Sequence, residues 1–236
     1  MRRFVPLSVN GVIDIGSVLT VLGVAAAAEE VEAQGTRQHF LAAPVLTQVR
    51  LHRWETRSRE RDVSPAAGPY LRGLMQYARG MSHAVRGDVA EARIELDQLQ
   101  RSRRAAEMAG LTVKNINRAS DVLVVARWQL QSAIATARQK HGDAVRFARA
   151  AVAAEDRLVA DDPPVWPVTA RHMLGNALLR ADRATEAQKV FSEDLRKYPQ
   201  NCTASAGLAA AELAQRSSLR AAPSAQLSAH PLHCPK

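Results

Sequence analysis

Three short polar interruptions, Arg86-Gly87-Asp88, His141-Gly142-Asp143 and Ala181-Asp182-Arg183, constrain this chain more than any other feature. Each lies between two stretches of helical periodicity and so reads as the turn of an antiparallel helix pair. Glycine suits such a turn because it adopts the left-handed conformation without a Cβ clash. A helical pair cannot bury its apolar face alone, so a chain that repeats the unit must stack one pair on the next.

The periodic segments predict helices over Tyr70–Arg86, Val89 to about Ala105, Asn115–Lys140, Ala144–Ala160, Trp166–Ala181, Ala184–Tyr198 and Asn201–Arg216. In the second of these, Val89, Ala92, Leu96 and Leu99 share one face. A further helix is predicted from Arg37 to about Arg53, with Pro44 kinking it or marking its first turn. Arg57–Pro69 carries charge, Ser64-Pro65 and Gly68-Pro69, and reads as a linker. The segment from Arg101 to Asn117 is an insertion or a pair of extended helix ends. No strand–turn pattern competes. Composition agrees: 43 alanines against 4% aromatics suit closely packed helices rather than a β-sandwich.

Three regions follow. Residues 1–35 are apolar and read as a first helix, a terminal remnant or a secretory signal, since Arg2-Arg3 precedes an apolar run and Ala25–Ala28 supplies small residues. The stretch from Val12 to Ala28 is expected to pack on the helix near Arg37 or to be removed on export. Residues 36–216 form the helical body, and 217–236 a tail with Pro223, Pro231 and Pro235. No uncharged apolar run is long enough to cross a membrane.

The body resembles the tetratricopeptide repeat, a helix–turn–helix unit written Trp-x2-Leu-Gly-x2-Tyr, then Ala-x3-Phe, then Pro. Its best match is Arg171-x2-Leu174-Gly175-x2-Leu178, then Ala187-x3-Phe191, then Pro199. A second match holds Gly80, Gly87, Ala92 and, in the Phe place, Leu96. A third pair near Gly142 is looser, because Phe147-Ala148 falls where one small residue belongs. Asp161-Asp162-Pro163-Pro164-Val165-Trp166, Phe191–Leu195 and Pro199-Gln200-Asn201 look like the last repeats of large bacterial tetratricopeptide proteins, most of unassigned function. After Asn201 that group tends to place a Trp where this chain has Cys202-Thr203.

The resemblance implies an all-α, right-handed stack of helical hairpins that binds a protein or peptide as a non-catalytic scaffold or adaptor. The first helix of each hairpin would line a groove, with His172, Asn176 and Arg180 facing it in one repeat and Tyr77 and Met81 in another. Gly175 and Ala92 would lie at close helix contacts, with Phe191 and Leu96 filling the space beside them.

Chemistry-bearing motifs are sparse. There is no HExxH pair, phosphate-binding glycine loop, G-x-S-x-G elbow or dinucleotide fingerprint, so neither an enzyme nor a cofactor is expected. Val12–Ser17 faintly resembles a phosphate-binding turn but lacks the strands that such a turn needs. His230-x-x-His233-Cys234 has metal-ligand spacing yet sits in the proline-containing tail, which favours a solvated reading. Asp161-Asp162 reads as a cap or turn, and Cys202 as a small packed residue. Basic residues exceed acidic ones by 9, with Arg50, Arg53, Arg57, Arg59 and Arg61 in one cluster and Arg101, Arg103 and Arg104 in another. Without interleaved aromatics these read as solvated faces rather than a nucleic-acid surface. The location expected is cytoplasmic, or periplasmic if residues 1–35 are a signal. The rival readings are an exported assembly factor, an enzyme with its site in the groove, and a nucleic-acid binder.

Overall fold

Apolar spacing and turn chemistry divide most of the chain into helices that pair with their neighbours in sequence. The computed structural model describes residues 34–52, 67–160, 162 and 164–221. Helix α1 spans 34–50, and α2 (Pro69–Arg86), α3 (Val89–Arg104), α4 (Ala119–Ala137), α5 (His141–Glu155), α6 (Ala170–Arg180), α7 (Ala184–Lys197) and α8 (Cys202–Ala221) follow. The described chain is mostly helical. Helix α2 pairs with α3, α4 with α5 and α6 with α7, while α4 packs back on α2 and α3, α6 on α5, and α8 on α7.

One turn geometry closes all three hairpins. At the first, Gly87 N–H donates to Ala84 O and Asp88 N–H to His83 O. Gln139 and Lys140 donate in the same pattern to Thr136 and Ala135, and Asp182 and Arg183 to Leu179 and Leu178. This paired bonding satisfies helix-end carbonyls and needs one left-handed residue. Gly87 (φ 87°), Gln139 (φ 56°) and Asp182 (φ 57°) provide it. Gly142 therefore does not end α4 as the sequence suggested; it lies in the first turn of α5.

Each hairpin also carries a small buried residue at the same position of its first helix. A Cβ at Gly80 would lie 2.6 Å from Leu130 Cδ2, and one at Gly175 2.2 Å from Phe191 Cζ. Buried Ala92 and Ala187 stand at the same offset beyond these glycines, as Ala144 does beyond buried Ser132. The Ser132 hydroxyl donates to Ala144 O at 2.9 Å, so the loose third pair has a serine in the glycine place. Its Phe place is Ala148, fully buried, while Phe147 stays half-exposed. Gly80 differs from expectation in its filler: Leu130 and Glu95 Cβ are nearest, although Leu96 is buried.

Several boundaries move for identifiable reasons. A 3-10 turn (Ala106–Met108) and a minimal antiparallel hairpin, β1 (Thr112–Val113) with β2 (Asn117–Arg118), occupy the segment read as insertion or helix ends. Lys114 and Asn115 make its turn at φ 53° and 58°, which delays the start of α4 to Ala119. Helix α1 runs through Pro44, where the Phe40 carbonyl that loses its donor lies on an exposed stretch open to water. Helix is already present at residue 34, the first residue described, and α8 continues to Ala221. Cys202 is exposed rather than packed. Residues 217–221, expected in the tail, belong to α8, while the expectations for Val12–Ala28, for Arg53, Arg57, Arg59 and Arg61 and for the tail beyond Ala221 lie outside the described residues. No described helix is long and apolar enough to cross a membrane.

Residues 156–169 join α5 to α6 without the helical start predicted at Trp166. Glu155 Oε2 accepts the Ala170 N–H at 2.7 Å, and Arg171 holds Asp156 through two contacts of 2.8 Å. Burial pushes the Glu155 carboxyl above its usual range, against the opposing pull of the Ala170 N–H and Arg171. A folded pKa raised in this way contributes stability below the unfolded value and loses it as pH rises through the folded one. Glu155→Gln keeps an acceptor for Ala170 and removes the buried charge. It should raise the melting temperature at pH 7 on the order of 1–2 °C, an advantage that disappears below pH 4.5. A melt unchanged at pH 7, or a gain that persists in acid, would contradict this account.

Candidate functional site

Two of the five residues expected to line a groove are core residues. Tyr77 is 0% exposed and Met81 5% exposed. The physical reason is the long α5–α6 connection. It lays Trp166 against Tyr77, ring centroids 5.2 Å apart, and buries Val165 and Trp166. The Tyr77 hydroxyl donates to Gln129 Oε1 at 2.6 Å, and Gln129 Nε2 donates to Val168 O at 2.7 Å. The chain's own loop thus occupies the place a ligand would take beside Tyr77. Burial drives the Tyr77 phenol well above its ordinary pKa, with Glu155 adding to the shift, so it acts as a neutral donor.

The other three residues share one face of α6. Asn176 and Arg180 are exposed. His172 is half-buried, with Nε2 2.9 Å from Asp194 Oδ2. Asn201 Nδ2 reaches the same carboxylate oxygen at 2.7 Å. The Asp194 side chain is fully buried on α7, and its Oδ1 has no hydrogen-bond partner among the described residues. A His–Asp pair orients the base in many hydrolases. Here it ties α6 to α7 and to the residue preceding α8. No described serine or cysteine is bonded to the His172 ring.

A second arrangement was not anticipated from sequence. On α4 the Arg127 guanidinium lies 3.9 Å from the centroid of the Trp128 ring. Trp128 stacks on Phe147 of α5 at 5.8 Å, and Arg146 covers the Phe147 ring at 4.2 Å. Cation–aromatic contacts of this kind are worth about 0.5–1 kcal/mol at exposed positions. Arg103 and Arg104, at the end of α3, approach the Arg127 end of this ladder. Burial first, then these two positive neighbours, lower the Arg127 pKa. Arg103 Nε and Arg127 Nε are both buried without a partner, and so is Gln131 Oε1 one turn further along α4. The dipeptides Arg127-Trp128 and Arg146-Phe147 were the available sequence signal. Their alignment across two helices was not.

The remaining sequence candidates stay apart. Arg50 and Arg101 are exposed, and Asp162 lies in a bend well before α6, so it does not cap that helix. Asp161, His230, His233 and Cys234 are outside the described residues. Among the described residues no group of three His, Cys, Asp or Glu side chains could hold a metal ion. Comparison with protein-family models, with curated proteins and with solved structures finds no match for this chain.

Proposed function

We propose that this chain is a non-catalytic helical-repeat module of tetratricopeptide type, a right-handed solenoid that holds a protein or peptide partner. The observation that carries the reading is the recurrence, hairpin after hairpin, of one turn geometry with a small buried residue at the same offset before its left-handed residue. Stacked units of this kind present continuous faces, and their use is to bind along them. The Tyr77–Met81 side is filled by the chain itself, so binding falls to faces left open, beginning with the Asn176–Arg180 stripe of α6. An amide and a guanidinium one turn apart suit a peptide backbone and a carboxylate.

Asn176→Ala combined with Arg180→Ala should weaken capture of a partner from the source cell at least several-fold. Thermal stability should stay within about 0.5 kcal/mol, because both side chains meet solvent. Capture unaltered by the double change, or no specific partner at all, counts against the reading.

A further inference from the structure

Other partly buried arginines among the described residues find acceptors: Arg72 donates to the Ala67 carbonyl, and two more meet carboxylates. Arg79 pairs with Glu95 at 2.6 Å, and Arg171 with Asp156 at 2.8 Å. The outward side of α4 breaks this rule. Arg103 and Arg127 bury their Nε atoms there without a partner, as no other described arginine does. Neither these two nor Arg104 forms an ion pair with any described residue. Like charges gathered without counter-charge are self-repelling, and an arriving anion relieves that repulsion. Beside them stand the half-exposed rings of Trp128 and Phe147, with Arg146, itself paired with Asp143 at 2.9 Å, at the far end.

We propose that the outward side of α4, flanked by α3 and α5, docks an acidic peptide segment that carries an apolar side chain between carboxylates. The proposal rests on the binding-module reading and gives that module a specific surface and ligand chemistry. Carboxylates meet Arg103 and Arg127 at one end and, at the other, Arg146, whose guanidinium the peptide shares with Asp143; the apolar side chain covers the exposed edges of Trp128 and Phe147. A guanidinium offers a carboxylate two parallel N–H bonds, and stacking on a ring holds it ready to do so at reduced entropic cost. Charge complementarity selects an anion. The ring geometry selects peptide over nucleic acid, because single-strand binders stack bases on open aromatic faces. Here guanidinium groups already lie over the rings, at 3.9 and 4.2 Å. A base would have to displace them, whereas a carboxylate needs only their outer edges.

The test uses the full chain and a fluorescein-labelled glutamate–leucine hexapeptide, with its glutamine–leucine counterpart and an oligothymidylate of equal charge as comparisons. The acidic peptide should bind saturably, weaken as salt is raised, and quench the emission of Trp128, assigned with Trp128→Phe. The pair Arg103→Gln and Arg127→Gln should weaken binding about tenfold or more, while Arg93→Gln, exposed on α3, leaves it unchanged. Arg146→Gln, at an exposed position, should weaken it several-fold and keeps the test valid if the double variant fails to fold. Equal binding of the glutamine peptide, tighter binding of the oligothymidylate, or full binding by the folded arginine variants overturns the proposal. A cellular partner lost with Asn176→Ala and Arg180→Ala but kept by the Arg103/Arg127 variant overturns this surface alone and leaves the module reading standing.

Discussion

Phe191→Ala is expected to destabilise the α6–α8 region by about 3–5 kcal/mol, the range for removing a fully buried aromatic ring. Phe191 is 1% exposed, and its ring is held between two glycines from different helices. A Cβ on Gly175 of α6 would come within 2.2 Å of the ring, and one on Gly207 of α8 within 2.4 Å. Neither helix could sit so close if it carried a side chain there, and the ring has no free side toward which to move. Gly175→Leu should therefore cost as much as overpacking commonly does, about 1–3 kcal/mol or more. Stacked hairpins transmit stability mainly to their neighbours. Loss of hydrogen-exchange protection should accordingly begin in α6, α7 and α8 and reach α2 and α3 last. Urea melts with the parent midpoint for either variant would refute this packing.

His172→Ala should produce the other large effect, about 3 kcal/mol or more, because it takes one partner away from a carboxylate buried in the core. The Asp194 side chain is fully buried, and its Oδ2 is met only by His172 and Asn201 among the described side chains. Removing the ring leaves Asn201 alone to compensate the charge. His172→Gln, which restores a donor, should recover part of the loss. Replacing His172 and Asp194 together with leucine should be far less costly than the single alanine change, because no charge is then left stranded. Additive losses in the double variant would mean that the pair is not the coupling that holds α6 to α7. Asp194 sits three residues beyond Phe191 on α7, so the polar tie and the aromatic wedge act on the same junction.

Much of this junction is legible in the sequence. The spacing from Gly175 to Ala187 and Phe191 specifies a close helix pair, because only a small residue lets backbones approach and only a large one fills the gap beside it. The turn at Gly87 was equally plain, since a left-handed residue was needed and a glycine stood there. The turn before α5 was misplaced by the same logic. Gln139 takes the left-handed conformation at a modest strain, and Gly142, the more obvious candidate, became an ordinary helical residue. The serine at position 132 hid a hairpin contact, because a pattern written in glycines does not register a hydroxyl that bonds across the turn.

By itself, the sequence determined the helical class, the three hairpins and the small residues at two of their crossings. These depend on interactions between residues near one another in the chain, whose periodicity and conformational limits can be read directly. Tertiary structure alone decided which faces remain open. Tyr77 and Met81 have the spacing of a groove, but a connection nearly ninety residues away, carrying Trp166, closes over the Tyr77 side. The arginine–aromatic ladder likewise exists only because α4 and α5 cross with Trp128 opposite Phe147 and bring Arg127 beside the end of α3. Exposure and charge proximity are properties of what packs against a residue, and for distant segments no local pattern encodes them.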